Sequence, residues 1–201
     1  MVAALGVVTA LAMTGAIVVS NRPAGDTSSN TDKVALETYT SSLQSLLEQL
    51  GPTGEAMASA PLTITKETDA RKLAADARGW EAKIVRAEAQ AATAQPGPQV
   101  VASYQVVTQA THLFLTAAKT YQLAPDVETG AQGDLLRRAG EQRDQANLLW
   151  QTGVGLLDQE RAKAGLGPSG LQSPVPAPAS SPSAPAGSQS PSGKPKGDKN
   201  G

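Results

Sequence analysis

Residues 100–121 read VVASYQVVTQATHLFLTAAKTY, and their larger apolar side chains recur every three or four positions. An α-helix turns once every 3.6 residues or so, and this spacing therefore places the apolar side chains in one stripe along one face. The stripe consists of Val100, Tyr104, Val107, Thr111, Phe114, Ala118 and Tyr121, widened by Val101 and Leu115. A stable helix must bury such a stripe, so these residues predict a helix packed inside a bundle.

Three further stretches show the same alternation, and each predicts a helix. We expect these helices to begin near Thr31 or Asp32, after Thr65 and near Asp134. Their stripes are Leu36, Tyr39, Leu43, Leu46 and Leu50; Leu73, Ala77, Trp80, Ile84, Ala87 and Ala91; and Leu135, Ala139, Ala146, Leu149, Gly153 and Leu156, the last broadened by Leu136, Trp150 and Leu157. The sequence therefore predicts an all-α fold.

Glycine and proline mark where these helices should stop. Gly51 and Pro52 are expected to end or kink the first helix, residues 95–98 to separate the second from the third, and Pro125 to end the third. Connections this short make neighbouring helices fold back on one another. We expect residues 32–164 to form an antiparallel up-down four-helix bundle, with a three-helix bundle and one outlying helix as the alternative.

Residues 2–19 read VAALGVVTALAMTGAIVV and carry no charge. As a helix they would be about 27 Å long, close to the roughly 30 Å hydrocarbon core of a bilayer. We expect residues 1–20 to be a transmembrane or signal-anchor helix, with the lipid bilayer as the partner of residues 2–19, and residues 21–31 to be a flexible linker. The alternatives are a cleaved signal peptide, which would leave the protein secreted, and a buried core helix.

The C-terminal residues 165–201 are dominated by Pro, Ser, Ala and Gly. They offer too little apolar surface to offset the entropy that is lost when a chain is ordered. The sequence therefore predicts a disordered tail that acts as a spacer. Its PxxP spacings match those of polyproline ligands, which is the alternative interpretation.

The composition excludes several classes of function. The chain has no cysteine, which excludes disulfides, thiol catalysis and thiolate metal sites. Its net charge of -1 gives no reason to expect a nucleic-acid partner. The sequence also contains no phosphate-binding loop and no nucleophile elbow. We therefore expect no catalytic, cofactor-binding or metal-binding residues, and no enzyme activity.

His112 is the only histidine, and no Asp or Glu lies three or four positions from it. Because a metal site on one helix needs such a pair, we interpret His112 as a partly exposed structural residue, with a pH-sensitive contact as the alternative. The large aromatic residues lie on or beside the stripes, where core packing places them. If a pocket forms between the helices, its polar contacts are expected from Trp80, Tyr104, Tyr121 and Trp150.

These features predict a non-enzymatic protein that is anchored in the cell membrane by a single segment, with the bundle and tail outside the cytoplasm. We expect it to act as an interaction or scaffold module at the cell envelope, through a protein partner or self-association. The alternative is an extracytoplasmic module that senses or binds a small ligand in the bundle interior.

The orientation of a membrane anchor is normally set by basic residues beside it, but Val2 follows Met1 directly. We therefore expect translation to start upstream of Met1 and to add Arg or Lys. Mass spectrometry of the native N-terminus tests this expectation, and a mature chain that begins at Met1 or Val2 contradicts it.

Overall fold

The computed structural model describes residues 26–91 and 96–175. It contains four helices, α1 (Asp26–Ala58), α2 (Glu67–Ala91), α3 (Val101–Leu123) and α4 (Thr129–Lys163), with short 3₁₀ turns at Pro98–Val100 and Ala124–Asp126. Within these two ranges the chain forms no β-strand, which confirms the all-α prediction there. The predicted membrane helix at residues 2–19 falls outside the described residues.

No helix in residues 26–91 and 96–175 combines the length and the apolar character needed to cross a bilayer.

The four helices pack as a bundle in which each runs antiparallel to the next. The contacts show this direction, because positions that come later on one helix meet positions that come earlier on its neighbour. The pairs are Thr40 with Arg161 and Met57 with Arg143 between α1 and α4, Glu81 with Lys119 and Glu88 with His112 between α2 and α3, and Ser103 with Gly153 and Thr120 with Gln142 between α3 and α4. Because α4 is antiparallel to both α1 and α3, helices α1 and α3 point the same way. Helix α2 is antiparallel to α3, so the order is up-down-up-down.

The predicted stripes form most of the core. Every stripe residue of α1 is buried, and those of α2 and α3 are buried except for the half-buried Ala91 and Tyr104. Val101 is 38 % exposed and does not widen the stripe of α3.

In α4, Ala139, Ala146 and Gly153 are buried as predicted, but the centre of the buried face lies on the residues that were expected only to broaden it. Leu136, Trp150 and Leu157 are completely buried, whereas Leu135, Leu149 and Leu156 are only half-buried. This arrangement places the Trp150 indole, the largest side chain of the helix, in the core, and burial of so large an apolar surface favours it.

The predicted start of α1 is wrong, and the helix does not end at Gly51 and Pro52. The helix already includes residues 26–31, which were expected to belong to a flexible linker, and it continues through Gly51 and Pro52 to Ala58. Pro52 lacks the N–H that would bond to the carbonyl of Glu48, a loss that usually ends or kinks a helix. Here Met57, one to two turns beyond it, is completely buried, and its packing continues the helix past the proline.

The first turn of α4 also begins earlier than predicted, at Thr129 instead of near Asp134. Gly130 and Gly133 lie inside it although glycine disfavours helix. The turn is held to the end of α3, because Gln132 Nε2 donates to Ala124 O at 3.3 Å. This tertiary contact outweighs the local preference for a loop.

Helices α3 and α4 approach each other closely at Gly153. Ser103 Oγ of α3 donates to Gly153 O at 2.7 Å. A Cβ atom added to Gly153 would lie 2.6 Å from Val107 Cγ2 and 3.3 Å from Val107 N, closer than atoms pack. Any other residue here would require Val107 or a helix to shift, and glycine avoids this cost.

The predicted disorder at residues 165–201 is wrong for residues 165–175, and residues 176–201 fall outside the described residues. Gly165 adopts a positive φ of 72° at the end of α4. Gly165 N then donates to Ala162 O at 3.0 Å, and Leu166 N donates to Arg161 O at 2.8 Å. This pairing is a Schellman motif, which reverses the chain after a helix.

Residues 165–175, here called the C-terminal strap, return along α4 toward its middle. Ser169 N donates to Asp158 Oδ1 at 2.6 Å, and Trp150 Nε1 donates to Gln172 O at 2.8 Å. The Asn147 side chain then bonds to both backbone groups of Val175: Asn147 Nδ2 donates to Val175 O, and Val175 N donates to Asn147 Oδ1. The strap is ordered by these side-chain-to-backbone bonds, which composition does not reveal.

The strap also closes against α1. Pro174 is completely buried, and a Cβ atom on Gly54 would lie 2.6 Å from Pro174 O. The strap therefore ends beside the C-terminal part of α1, far from Asp26.

We predict that Gly153→Ala destabilises the bundle by about 1–3 kcal/mol, since the new methyl group forces α3 and α4 apart. Gly155→Ala is the matched control, because no atom lies within 4 Å of a Cβ there and alanine favours helix. That variant should gain up to about 1 kcal/mol. Urea unfolding of both variants measures the difference, and equal effects of the same sign would contradict the close crossing.

Candidate functional site

A cavity of about 180 Å³ lies between α1, α2 and α3. It is comparable to an engineered cavity of about 150 Å³ that binds benzene in another protein. Its walls are mostly apolar, with a few polar groups among them. The lining residues are Tyr39, Ser42, Leu43, Leu46, Glu88, Ala91, Tyr104, Val107, Thr108, Thr111 and His112. Such an arrangement is typical of small-molecule sites between helices.

Glu88 and His112 face each other at one side of this cavity. His112 Nδ1 of α3 lies 3.0 Å from Glu88 Oε1 of α2. That oxygen is shielded from solvent and has no hydrogen-bonding partner in the described structure, so the short distance reflects proximity without hydrogen-bond alignment. The contact becomes an ion pair only when the imidazole is protonated. The His112 side chain is 65 % exposed and Glu88 is half-buried, so the pair borders both solvent and cavity.

Tyr39 forms part of the cavity wall and reaches into the core. Its side chain is buried, and its hydroxyl lies 3.5 Å from Ser103 Oγ, the group that donates to Gly153 O. Burial raises the pKa of Tyr39 to about 12, because the phenolate would lose its hydration, and the contact with Ser103 only partly opposes this. The Tyr39 hydroxyl is therefore neutral throughout the physiological range.

The remaining wall offers few free polar groups. The Thr111 hydroxyl donates to Val107 O of its own helix at 3.0 Å, and its donor is therefore already used. Leu43, Leu46 and Val107 supply apolar surface. The carboxylate of Glu88 is therefore the strongest polar feature that a molecule in this cavity would meet.

The four aromatic residues that were expected around a pocket lie in three places. Tyr104 lines the cavity. Trp80 and Tyr121 pack edge to face in the core, with ring centroids 5.6 Å apart and ring planes at 81°, as aromatic pairs prefer. Trp150 is completely buried and donates to the strap. The structure therefore does not bring them together into one site.

Glu88 and Tyr39 line the cavity but were not expected from the sequence as site residues. His112 has no acidic neighbour within its own helix, but Glu88 of α2 lies beside it. Helical spacing within one segment cannot indicate a neighbour that comes from another helix. The position of His112 at a partly exposed edge agrees with its interpretation as an exposed residue. The sequence pattern marks Tyr39 only as a stripe residue of α1. Its position in the cavity wall depends on how α1 packs against α3.

Within residues 26–91 and 96–175, no three His, Asp or Glu side chains are grouped so that they could hold a metal ion.

Comparisons with models of known protein families, with curated proteins and with solved structures find no match to this chain.

We predict that the folded chain loses stability as the pH rises from 10 toward 12, because Tyr39 ionises near 10 when unfolded and only at about 12 when folded. In that window the unfolded chain releases a proton that the folded chain keeps, so proton release favours unfolding. Tyr39→Phe should reduce the loss between pH 9.5 and 11 by roughly 1 kcal/mol. Urea unfolding at both pH values measures it, and an equal loss in the variant and the parent would refute the buried phenol.

Proposed function

We propose that this protein is a non-enzymatic, membrane-anchored helical bundle that stands outside the cytoplasm and serves as an interaction or scaffold module at the cell envelope. The observation that carries the proposal is the uncharged apolar run at residues 2–19, which is long enough as a helix to cross most of a bilayer. Six residues separate this run from the start of α1 at Asp26. The anchor therefore holds the Asp26 end of the bundle near the membrane surface.

The strap supports an outward-reaching role for the C-terminal residues. It brings Val175 to the part of α1 around Gly54, and Pro174 packs directly against that glycine. The 29 helical residues from Asp26 to Gly54 span roughly 40 Å. The Pro- and Ser-rich residues 176–201 thus start at the end of α1 away from the anchor, where a spacer or partner-binding tail reaches farthest.

A second candidate function is the binding of a small ligand in the bundle interior, and the cavity between α1, α2 and α3 favours it. Its size and its mostly apolar walls with one carboxylate are typical of a ligand site. The two functions are compatible, since a scaffold at the membrane could respond to a ligand bound in its bundle.

We predict that the full chain resists alkaline carbonate extraction from membranes of its native host. Leu11→Arg should release it, because a charge at the centre of a membrane helix costs about 2.5–3.5 kcal/mol. Leu62→Arg is the matched control, since Leu62 lies outside the apolar run and is 72 % exposed. Membrane retention of the Leu11→Arg chain, or release of the unchanged chain, would contradict the anchor.

The same membranes test the location and the scaffold role. Protease added to intact spheroplasts should cleave the bundle if it lies outside the cytoplasm, and complete protection would contradict that orientation. Crosslinking in the native membrane should capture a protein partner or a second copy, whereas a monomer without partners would contradict the scaffold role.

A further inference from the structure

The cavity between α1, α2 and α3 is unevenly charged. Among its lining residues, Glu88 carries the only full negative charge, and neither Lys nor Arg takes part. His112 adds a positive charge only when it is protonated. A cation inside the cavity therefore meets an attractive carboxylate, whereas an anion meets repulsion with no permanent positive charge to offset it.

One oxygen of the Glu88 carboxylate is also buried and unpaired in the part of the chain that the structure describes. Glu88 Oε1 lies 3.0 Å from His112 Nδ1 and is shielded from solvent, while the side chain as a whole is 22 % exposed. Oε1 is thus a buried acceptor without a hydrogen-bonding partner among the described residues. A charged donor in the cavity would satisfy it, and leaving such an acceptor unpaired is costly.

The rest of the cavity suits an apolar body with one aromatic ring. Leu43, Leu46 and Val107 provide aliphatic surface, and Tyr39 and Tyr104 provide aromatic surface. Aromatic rings attract both apolar groups and ammonium ions. The volume of about 180 Å³ accommodates one ring with a short side chain.

We propose that this cavity binds a small primary amine with a one-ring apolar body, whose ammonium group pairs with Glu88 while the ring lies against Leu43, Leu46 and Val107. This inference rests on the ligand-binding function that was proposed second above, and it names the chemical class of the ligand. Neither the membrane anchor nor the scaffold role depends on it.

Three probes of nearly equal size separate charge from shape. Phenethylamine is cationic, 2-phenylethanol is neutral and 3-phenylpropionate is anionic. Each is titrated into the full-length chain in non-ionic detergent, and backbone amide shifts are followed by NMR. Phenethylamine should shift the amides of Tyr39, Thr108 and His112 with a Kd on the order of 0.1–1 mM, and the other two probes should bind at least tenfold more weakly.

Two variants locate the binding. Glu88→Gln keeps the shape of the side chain and should weaken phenethylamine binding at least tenfold. The matched control is Glu81→Gln, because Glu81 lies two turns earlier on α2, pairs with Lys119 of α3 at 3.7 Å and does not line the cavity. Its binding of phenethylamine should be unchanged. Thr108→Phe fills the cavity from α3 and should abolish binding, which keeps the test decisive if Glu88→Gln fails to fold.

The outcomes separate the two levels of the proposal. Equal binding of the three probes at the cavity amides, or full phenethylamine affinity in folded Glu88→Gln, would overturn the amine inference but leave ligand binding intact. The absence of shifts at Tyr39, Thr108 and His112 with every probe would overturn both.

Discussion

Ser103 and Val107 of α3 lie so close to Gly153 of α4 that a single methyl group on Gly153 would force Val107 or a helix to shift. The Ser103 hydroxyl binds the Gly153 carbonyl across this contact, so the backbone of α4 is held by a side chain of α3. Close approach also buries the neighbouring alanines, Ala110 and Ala146, which are small enough to allow it. In a chain with only 3 % aromatic residues, such close packing is how a core reaches the density that larger side chains would otherwise provide.

The cavity depends on the same crossing. Val107 contacts Gly153 on one side and lines the cavity on the other, and Ser103 lies between Gly153 and the hydroxyl of Tyr39. Val107 and Ser103 therefore connect the crossing with the cavity wall. A change at the crossing would reach the cavity through two side chains, without any contact with a ligand. These two side chains are a short physical route that could couple the cavity to the packing of α3 against α4.

Local periodicity was enough to predict the helices and most of the core, since the stripes of α1, α2 and α3 are buried almost as expected. It was not enough where tertiary contacts compete with local preference. Pro52 lies inside α1 because the buried Met57 continues the packing beyond it. The strap is ordered, in spite of its composition, by Asn147, Trp150 and Asp158. These contacts join residues far apart in the sequence, which no local pattern encodes.

The candidate site was the least predictable part, for the same physical reason. Tyr104 lines the cavity, but the carboxylate that dominates its chemistry is on another helix and meets His112 only after folding. Trp80, Tyr121 and Trp150 looked equally suitable as pocket residues. Packing places the first two against each other and the third beneath the strap.

The most direct measurement of the α3–α4 crossing is the nuclear Overhauser effect between the Gly153 Hα protons and the Val107 methyl groups in the folded chain. The close crossing predicts a strong cross-peak, because one of the Hα protons points to the place where a Cβ would meet Val107 Cγ2. If both residues show helical chemical shifts and this cross-peak is absent, the two helices do not cross at Gly153 and the arrangement described for the bundle is wrong.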